Sequence, residues 1–108
     1  MIAKTPQPPY YAVIFTSVRT ALDEGYEAMS EKMVKLAKQQ PGFLGWESAR
    51  NETGITVSYW ESEEAIKAWK ANLDHLEAQS LGRRKWYVRY KTRVAKVERD
   101  YGFERLKD

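Results

Sequence analysis

The chain has 108 residues, of which 43% are apolar and 31% are charged, and its formal net charge is +3. This length predicts one domain with a modest core, and the composition argues against a disordered or fibrous chain. The absence of cysteine from the sequence excludes disulfides, thiolate metal sites and a cysteine nucleophile. The longest apolar run, 12–15, is far shorter than the ~20 residues that span a bilayer, so we expect no membrane partner.

The N-terminal residues bear on the location of the protein. Residues 1–6 contain neither an apolar core nor a small-residue cleavage site. We therefore expect no signal peptide and a cytoplasmic protein.

One basic strip interrupts an otherwise even mixture of charges. Its charged residues are Arg83, Arg84, Lys85, Arg89, Lys91 and Arg93, and aromatic residues lie between them. Basic and aromatic side chains together are typical of nucleic-acid-binding surfaces. The outward face of a strand beside a positive helix end gives the same pattern, and charge alone is a weak indicator. We therefore predict no nucleic-acid partner.

The first half of the chain predicts an arm, a strand and a helix. Residues 1–9 contain three of the four prolines and form the predicted extended arm. Residues 10–18 are rich in aromatic and β-branched side chains, which favours a strand, and its consecutive apolar positions predict burial of both faces. Asp23 is predicted to cap a helix that ends at Pro41-Gly42. The apolar stripe of this helix is Tyr26, Met29, Met33 and Leu36.

The second half predicts a hairpin, a helix and a long strand. Strands over 43–50 and 55–61 are joined by the turn residues of 51–54. Ser62 is predicted to cap a helix that ends near Gly82, with an apolar stripe of Ile66, Trp69, Leu73 and Leu76. The last strand, 86–97, changes its apolar alternation after Val94, which predicts a bulge there. We expect the domain to cover 10–103 and the polar tail, 104–108, to fray.

This element order, β-α-β-β-α-β, predicts a ferredoxin-like α+β fold with a four-stranded antiparallel sheet. Both helices must cover one face of the sheet because each crossover is right-handed. Too many apolar strand residues remain for that face alone, and an exposed apolar sheet face marks an interface. We therefore predict a homodimer in which two sheets pack face to face with two-fold symmetry.

Three sequence motifs resemble the antibiotic biosynthesis monooxygenase family. The segment Gln40-Pro41-Gly42-Phe43-Leu44-Gly45 is similar to its PGFLG turn. The segment Trp60-Glu61-Ser62-Glu63-Glu64-Ala65, followed by Trp69, is similar to its WESEEA…W signature. A third segment, from His75 through Gly82-Arg83 and Trp86 to 94–101, resembles one branch of small members. The resemblance covers roughly residues 10–103 and implies a homodimeric α+β barrel.

The resemblance also implies an activity. Some members oxidise quinols or anthrone-like polyketides with dioxygen and no cofactor, and others bind and cleave haem, with the substrate between the sheet and the helices. The tryptophan of the cofactor-free oxygenases falls on Trp60, and their strand asparagine falls on Thr56. The helix tryptophan of the haem-degrading branch falls on Trp69, whereas its axial histidine falls near Gln79, one turn after His75.

The only histidine and several aromatic residues form the predicted site. His75 has an intrinsic pKa suited to a base near neutral pH, although an exposed histidine near a helix C-terminus is an equal alternative. Trp60 is predicted to be catalytic with it. The predicted substrate-binding residues are Trp69, Trp86, Tyr90, Tyr59, Thr56 and Arg83. The alternative for the aromatic residues is core packing, and for Arg83 it is a solvated charge at a helix end.

Three functions remain open from the sequence. The first is a cofactor-free monooxygenase that acts on a small electron-rich aromatic, with no metal. The second is a haem-binding or haem-degrading monooxygenase with His75 as the ligand. The third is a non-catalytic dimeric module for small-molecule binding or stress response. We favour the first, because the resemblance, the aromatic residues and the histidine agree.

Overall fold

The computed structural model describes residues 2–80 and 83–106, apart from the side chains of 75–80, 83 and 84. Seven elements follow in chain order. They are β1 (Tyr10–Arg19), α1 (Tyr26–Lys38), β2 (Phe43–Arg50), β3 (Thr53–Trp60), α2 (Glu63–Ser80), α3 (Arg83–Trp86) and β4 (Tyr87–Val97). The strands form one antiparallel sheet in the order β2-β3-β1-β4. The predicted ferredoxin-like α+β fold is confirmed.

The predicted bulge after Val94 is wrong. Pairing between β1 and β4 is continuous from Tyr10 opposite Val97 to Val18 opposite Arg89, and the register shifts only beyond that pair. After Val94 the apolar residues of β4 lie on the other face of the sheet, while the register with β1 is unchanged. Ala95 and Val97 lie opposite the buried residues Ala12 and Tyr10 in an unbroken register, so they share a face with these residues without a bulge.

The predicted cap of α1 by Asp23 is also wrong. The N-cap residue is Gly25, whose φ of 79° is left-handed, and no side chain caps the helix. The Asp23 carboxylate instead accepts a hydrogen bond from Arg19, at 2.9 Å. The guanidinium of Arg19 also stacks on the ring of Tyr26, 3.3 Å from its centroid. This arginine therefore draws the carboxylate away from the helix N-terminus, and α1 begins only at Tyr26.

Helix α2 begins as predicted. Ser62 Oγ accepts a hydrogen bond from the backbone N–H of Ala65, at 3.1 Å, which satisfies one of the free N–H groups of the first turn. Glu63 and Glu64 lie in that turn, where the helix dipole favours negative charge. No helix in the described part of the chain is both long and apolar enough to cross a membrane.

The core lies between the sheet and the two long helices. Its buried residues are Ala37, Trp60, Ile66 and Trp69. The rings of Trp60 and Trp69 stack with centroids 5.8 Å apart, and Phe43 packs edge-on against Trp60 at 5.3 Å. Both apolar stripes predicted from the sequence thus reach the core, through Met33 and Leu36 of α1 and through Leu73 of α2.

The sheet face that points away from the helices is here called the outer face. One end of it is covered by the N-terminal arm, where the Ala3 N–H donates to Glu47 Oε2 at 2.9 Å and Thr5 Oγ1 donates to the Tyr10 hydroxyl at 3.0 Å. Beyond the arm, Ile14, Val18 and Val57 are partly buried and Ile55 is 46% exposed. The outer face is therefore apolar over β1 and β3 and open beyond the arm. On β4 it is basic, since Arg89, Lys91 and Arg93 lie opposite Val18, Thr16 and Ile14.

Candidate active site

A cavity of about 210 Å³ lies between the sheet and the long helices. Each of its walls comes from a different part of the fold. The helix walls are Tyr26, Met29, Ser30, Met33, Val34, Ala37, Trp69 and Leu73, and the sheet walls include Val13, Phe15, Phe43, Trp46, Tyr87 and Thr92. The lining is mainly apolar and aromatic, which is typical of small-molecule sites.

Aromatic rings close one end of the cavity. Tyr26 meets Trp86 and Tyr87 edge-on, with centroids 5.9 and 6.0 Å apart, and Tyr87 meets Phe15 at 5.6 Å. Trp86 is 5% exposed, and its indole N–H donates to the carbonyl of Glu24 at 2.9 Å. That bond joins α3 to the chain before α1, so this end of the cavity is held by contacts between distant segments.

A row of hydroxyl side chains forms the polar part of the sheet wall. Ser48, Thr56 and Ser58 all line the cavity. Ser48 and Thr56 are hydrogen-bonded to each other at 2.9 Å, and Ser58 accepts a bond from the Trp60 indole at 2.9 Å. These hydrogen bonds use part of the donor and acceptor capacity of the three hydroxyl groups. We therefore expect the hydroxyl groups to orient a bound ligand and not to bear a charge.

Arg50 is the only charged residue among the described residues that line the cavity. It ends β2 and lies opposite Gly54 of β3, which in turn lies opposite Ser17 of β1. The guanidinium passes over Gly54, in the space a side chain would fill, and donates to the hydroxyl of Ser17. Ser17 is 2% exposed, so the arginine is held by a buried partner two strands away.

The predicted site residues fall into three groups. Trp69, Trp86 and Thr56 line the cavity. Trp60 is 0% exposed and lies behind the cavity in the core, and Tyr90 contacts Phe15 and Tyr87, which line it, from outside. The side chains of His75 and Arg83 lie outside the described residues, although α2 and α3 include their backbones.

Tyr59, also predicted to bind substrate, faces away from the cavity. Its hydroxyl donates to Glu47 Oε1 at 2.8 Å on the outer face, beside the N-terminal arm. Burial, and then the hydrogen bond to Glu47, raise the pKa of Tyr59 to about 12. The pKa of Tyr10, in the same cluster, is raised chiefly by its hydrogen bond to Asp100. This cluster fastens the arm and the tail to the sheet.

Sequence reasoning missed most of the cavity lining, and Arg50 is the charged residue among those it missed in the described part of the chain. In the sequence, Arg50 shares a strand face with Trp46 and Ser48, and a basic residue in this position indicates only the exposed end of a strand. The available signal was the glycine four residues later, because a hairpin places Gly54 opposite Arg50 and leaves room above it. The position of Ser17, far away in sequence, could not be inferred.

Comparison with known proteins places this geometry in a family. The model of the family described as antibiotic biosynthesis monooxygenase matches residues 9–81. The chain belongs to the antibiotic biosynthesis monooxygenase family. Among curated proteins, the chain is 52% identical over 105 residues to the uncharacterized protein YqjZ of Bacillus subtilis (strain 168), covering 95% of this chain and 92% of that protein.

Solved structures of other proteins share the fold. SnoaB, a cofactor-independent oxygenase from Streptomyces nogalater, matches with a TM-score of 0.66 and 11% identity over 91% of this chain and 100% of its own. A variant of MhuD with two manganese protoporphyrin IX bound per active site matches with a TM-score of 0.59 and 25% identity, over 86% of this chain and 99% of its own. The same fold thus occurs in a cofactor-independent oxygenase and in a protein that binds manganese protoporphyrin IX.

Proposed function

We propose that this chain is a cofactor-free monooxygenase that oxidises a small electron-rich aromatic, quinol-like or anthrone-like, with dioxygen. The observation that carries the proposal is the cavity itself, a space of about 210 Å³ with aromatic and methionine walls and one guanidinium. Such a site excludes water from an aromatic anion and supplies a cation to stabilise its charge. Its likeness in fold to SnoaB, a cofactor-independent oxygenase, supports the same assignment.

The reaction needs a base and a dry, oriented substrate. For an anthrone-like substrate, a base removes a proton from the ring methylene, and the resulting anion passes one electron to dioxygen. The carbon radical and superoxide combine into a peroxide, whose O–O bond breaks as a C=O bond forms and water leaves. The balance is one methylene and one dioxygen to one carbonyl and one water. His75 is proposed as the base because it is the only histidine in the sequence and its intrinsic pKa suits a base near neutral pH.

Dioxygen uptake tests this proposal. Metal- and haem-free protein is supplied with a panel of quinols and anthrones, and oxygen consumption is followed with an electrode. We expect protein-dependent uptake that falls at least tenfold in His75→Ala, in line with the ~100-fold or larger contribution of general bases. Lys67→Ala, on an exposed position of the same helix, should keep the wild-type rate. Saturable binding of the panel without uptake would indicate the non-catalytic binding module instead.

Haem is the second candidate ligand, because MhuD shares the fold and Trp69 lines the cavity. The described residues fit it less well. The cavity lies below the ~300–1,000 Å³ of drug-sized ligand sites, and a porphyrin needs more room than most such ligands. The described lining also contains no histidine to act as an axial ligand. A saturable Soret shift with haemin at one haem per chain, lost in His75→Ala, would favour haem over the first proposal.

We also propose that the protein works as a homodimer through the outer face. Its β1 and β3 part is apolar and open beyond the N-terminal arm, with Ile55 46% exposed, and the basic residues Arg89, Lys91 and Arg93 of β4 border that part. The chain after β4 adds further apolar surface, since Tyr101, Phe103 and Leu106 are 95%, 86% and 88% exposed. Apolar surface of this extent on a small domain is typical of an interface, and a second copy presents the matching surface.

A further inference from the structure

The cavity holds a positive charge for which the described part of the chain offers no carboxylate. The ion pairs in that part of the chain join Arg19 to Asp23 and Lys70 to Asp74, and no acidic residue lines the cavity among the residues described. Arg50 is instead held by the hydroxyl of Ser17, a neutral acceptor that is 2% exposed. A guanidinium has five N–H donors, so others remain available to a ligand.

The surroundings of Arg50 are built for its guanidinium. A Cβ on Gly54 would overlap the guanidinium carbon and nitrogens, so the absence of a side chain there gives the arginine its place. Ser17, Gly54 and Arg50 lie side by side across β1, β3 and β2, so the guanidinium lies against the sheet although Arg50 as a whole is exposed. Such preorganisation reduces the entropy that a bound anion would otherwise cost.

We propose that Arg50 anchors an anionic oxygen, carboxylate or phenolate, of an aromatic ligand whose ring lies against the aromatic and methionine walls. This names the substrate class of the proposed oxygenase site and rests on the cavity being that site. Arg50 is the specificity-determining residue, because a guanidinium pairs with a planar carboxylate through two parallel hydrogen bonds and with a phenolate through one or two. A neutral aromatic of the same shape contacts the same walls but offers the guanidinium no anionic oxygen.

Equilibrium binding of matched probes tests the proposal without requiring turnover. The probes are 2-naphthoate with 2-naphthamide as its neutral match, and 4-nitrophenolate with 4-nitroanisole as its neutral match. Affinities are measured by calorimetry at a pH where both acids are ionised. We expect each anion to bind the wild-type protein about tenfold or more tightly than its neutral match, as charge-assisted hydrogen bonds predict.

Three variants separate the role of Arg50 from general effects of charge and folding. Arg50→Gln should abolish the preference for the anions, whereas Lys35→Gln, which removes one positive charge from an exposed position of α1, should keep it. Gly54→Ala keeps the arginine but displaces its guanidinium, so it should also lower the preference while the melting temperature changes little. Arg50→Lys retains charge without the planar group and should lose part of the preference for carboxylate.

The outcomes distinguish this inference from the proposed activity. Equal affinity for anionic and neutral probes, or an unchanged preference in Arg50→Gln, would overturn the role of Arg50 even if dioxygen uptake is observed. Failure of all four probes to bind would overturn it as well. An Arg50-dependent preference for the anions without dioxygen uptake would support the anion site and reject the oxygenase. If only carboxylate or only phenolate is preferred, the ligand class is narrowed to that group.

Discussion

Trp60 and Trp69 stack on each other and belong to one sequence motif, but their surroundings differ. Trp69 lines the cavity with one face, whereas Trp60 is 0% exposed and contacts core residues. Trp60 also donates its indole N–H to Ser58, which lines the cavity. We therefore interpret Trp60 as a support for the cavity wall, and Trp69 as the tryptophan of this pair that meets a ligand.

The buried position of Trp60 makes a prediction about stability. Trp60→Ala should lower the free energy of unfolding by about 3–5 kcal/mol, because it removes a large buried ring and leaves a cavity. Urea unfolding followed by circular dichroism measures the change. Val88→Ala, at a residue that is 59% exposed, is the control and should change it by less than ~0.5 kcal/mol. A similar small effect of both substitutions would contradict the core role of Trp60.

The phenol of Tyr59 makes a prediction about pH. Its pKa is raised from 10.0 to about 12 by burial and by its hydrogen bond to Glu47, so the folded state favours the protonated form. This contribution to stability is complete below pH 10 and is lost as the pH rises towards 12. Wild-type protein should therefore lose on the order of 1–2 kcal/mol more unfolding free energy across this interval than Tyr59→Phe.

Denaturant unfolding at several pH values measures this difference. Glu47→Gln removes the charge that the phenol faces, and its loss of stability between pH 10 and 12 should be smaller than that of the wild-type protein. If the unfolding free energies of the wild type, Tyr59→Phe and Glu47→Gln change equally with pH, the hydrogen bond between Tyr59 and Glu47 does not raise the pKa of the phenol as described.

Gly42 determines the conformation of the turn between α1 and β2. Gly42 has a φ of 85°, and a Cβ there would lie 2.8 Å from the Cβ of Ala65 in α2. Its carbonyl accepts a bond from the N–H of Glu61 at 2.8 Å, which joins the turn to the end of β3. The turn thus brings α1, β2 and the start of α2 together beside the core.

Gly42→Ala should lower the free energy of unfolding by about 1–3 kcal/mol, because alanine is strained at positive φ and its Cβ collides with α2. Thermal and urea unfolding measure the loss. Gly102→Ala is the matched control, since a Cβ at Gly102 meets nothing within 4 Å. Equal stability of the two variants would show that the turn tolerates a side chain.

Local patterns predicted the elements better than they predicted the contacts between them. The bounds of β2 and the Ser62 cap followed from strand composition and from a serine before two glutamates. Asp23 fits the cap pattern equally well, yet its carboxylate binds Arg19. The sequence alone does not show whether this carboxylate binds the helix N-terminus or the nearby arginine. The placement of Arg50 depends on three strands meeting, so no local pattern contained it.

At the scale of the whole molecule, the two faces of the sheet differ in what covers them. The helix-facing side forms the cavity, and the outer face is covered at one end only. The sequence predicted apolar residues on both faces, because apolar residues stand at consecutive positions of β1. It predicted the extended arm but not its contact with Glu47, because that contact is made by a backbone N–H that has no sequence signature.

The homodimer proposal predicts a change of mass when the outer face is charged. Wild-type protein should elute with light-scattering mass near twice the 12.6 kDa of the chain, and Ile55→Glu with Val57→Glu should reduce it to one chain. Leu22→Glu, at a residue that is 40% exposed in the loop after β1, should leave the mass unchanged. A wild-type protein of single-chain mass would contradict the proposal.

The central claim is that this chain alone transfers oxygen from dioxygen to a bound aromatic. The most direct measurement is mass spectrometry of the product formed from an anthrone under isotopically heavy dioxygen, with protein free of haem, flavin and metal. We expect one heavy oxygen in the new carbonyl, incorporated at a rate that depends on the protein and decreases in His75→Ala. Light oxygen from water in that carbonyl, or product formation only after haemin is added, would contradict it.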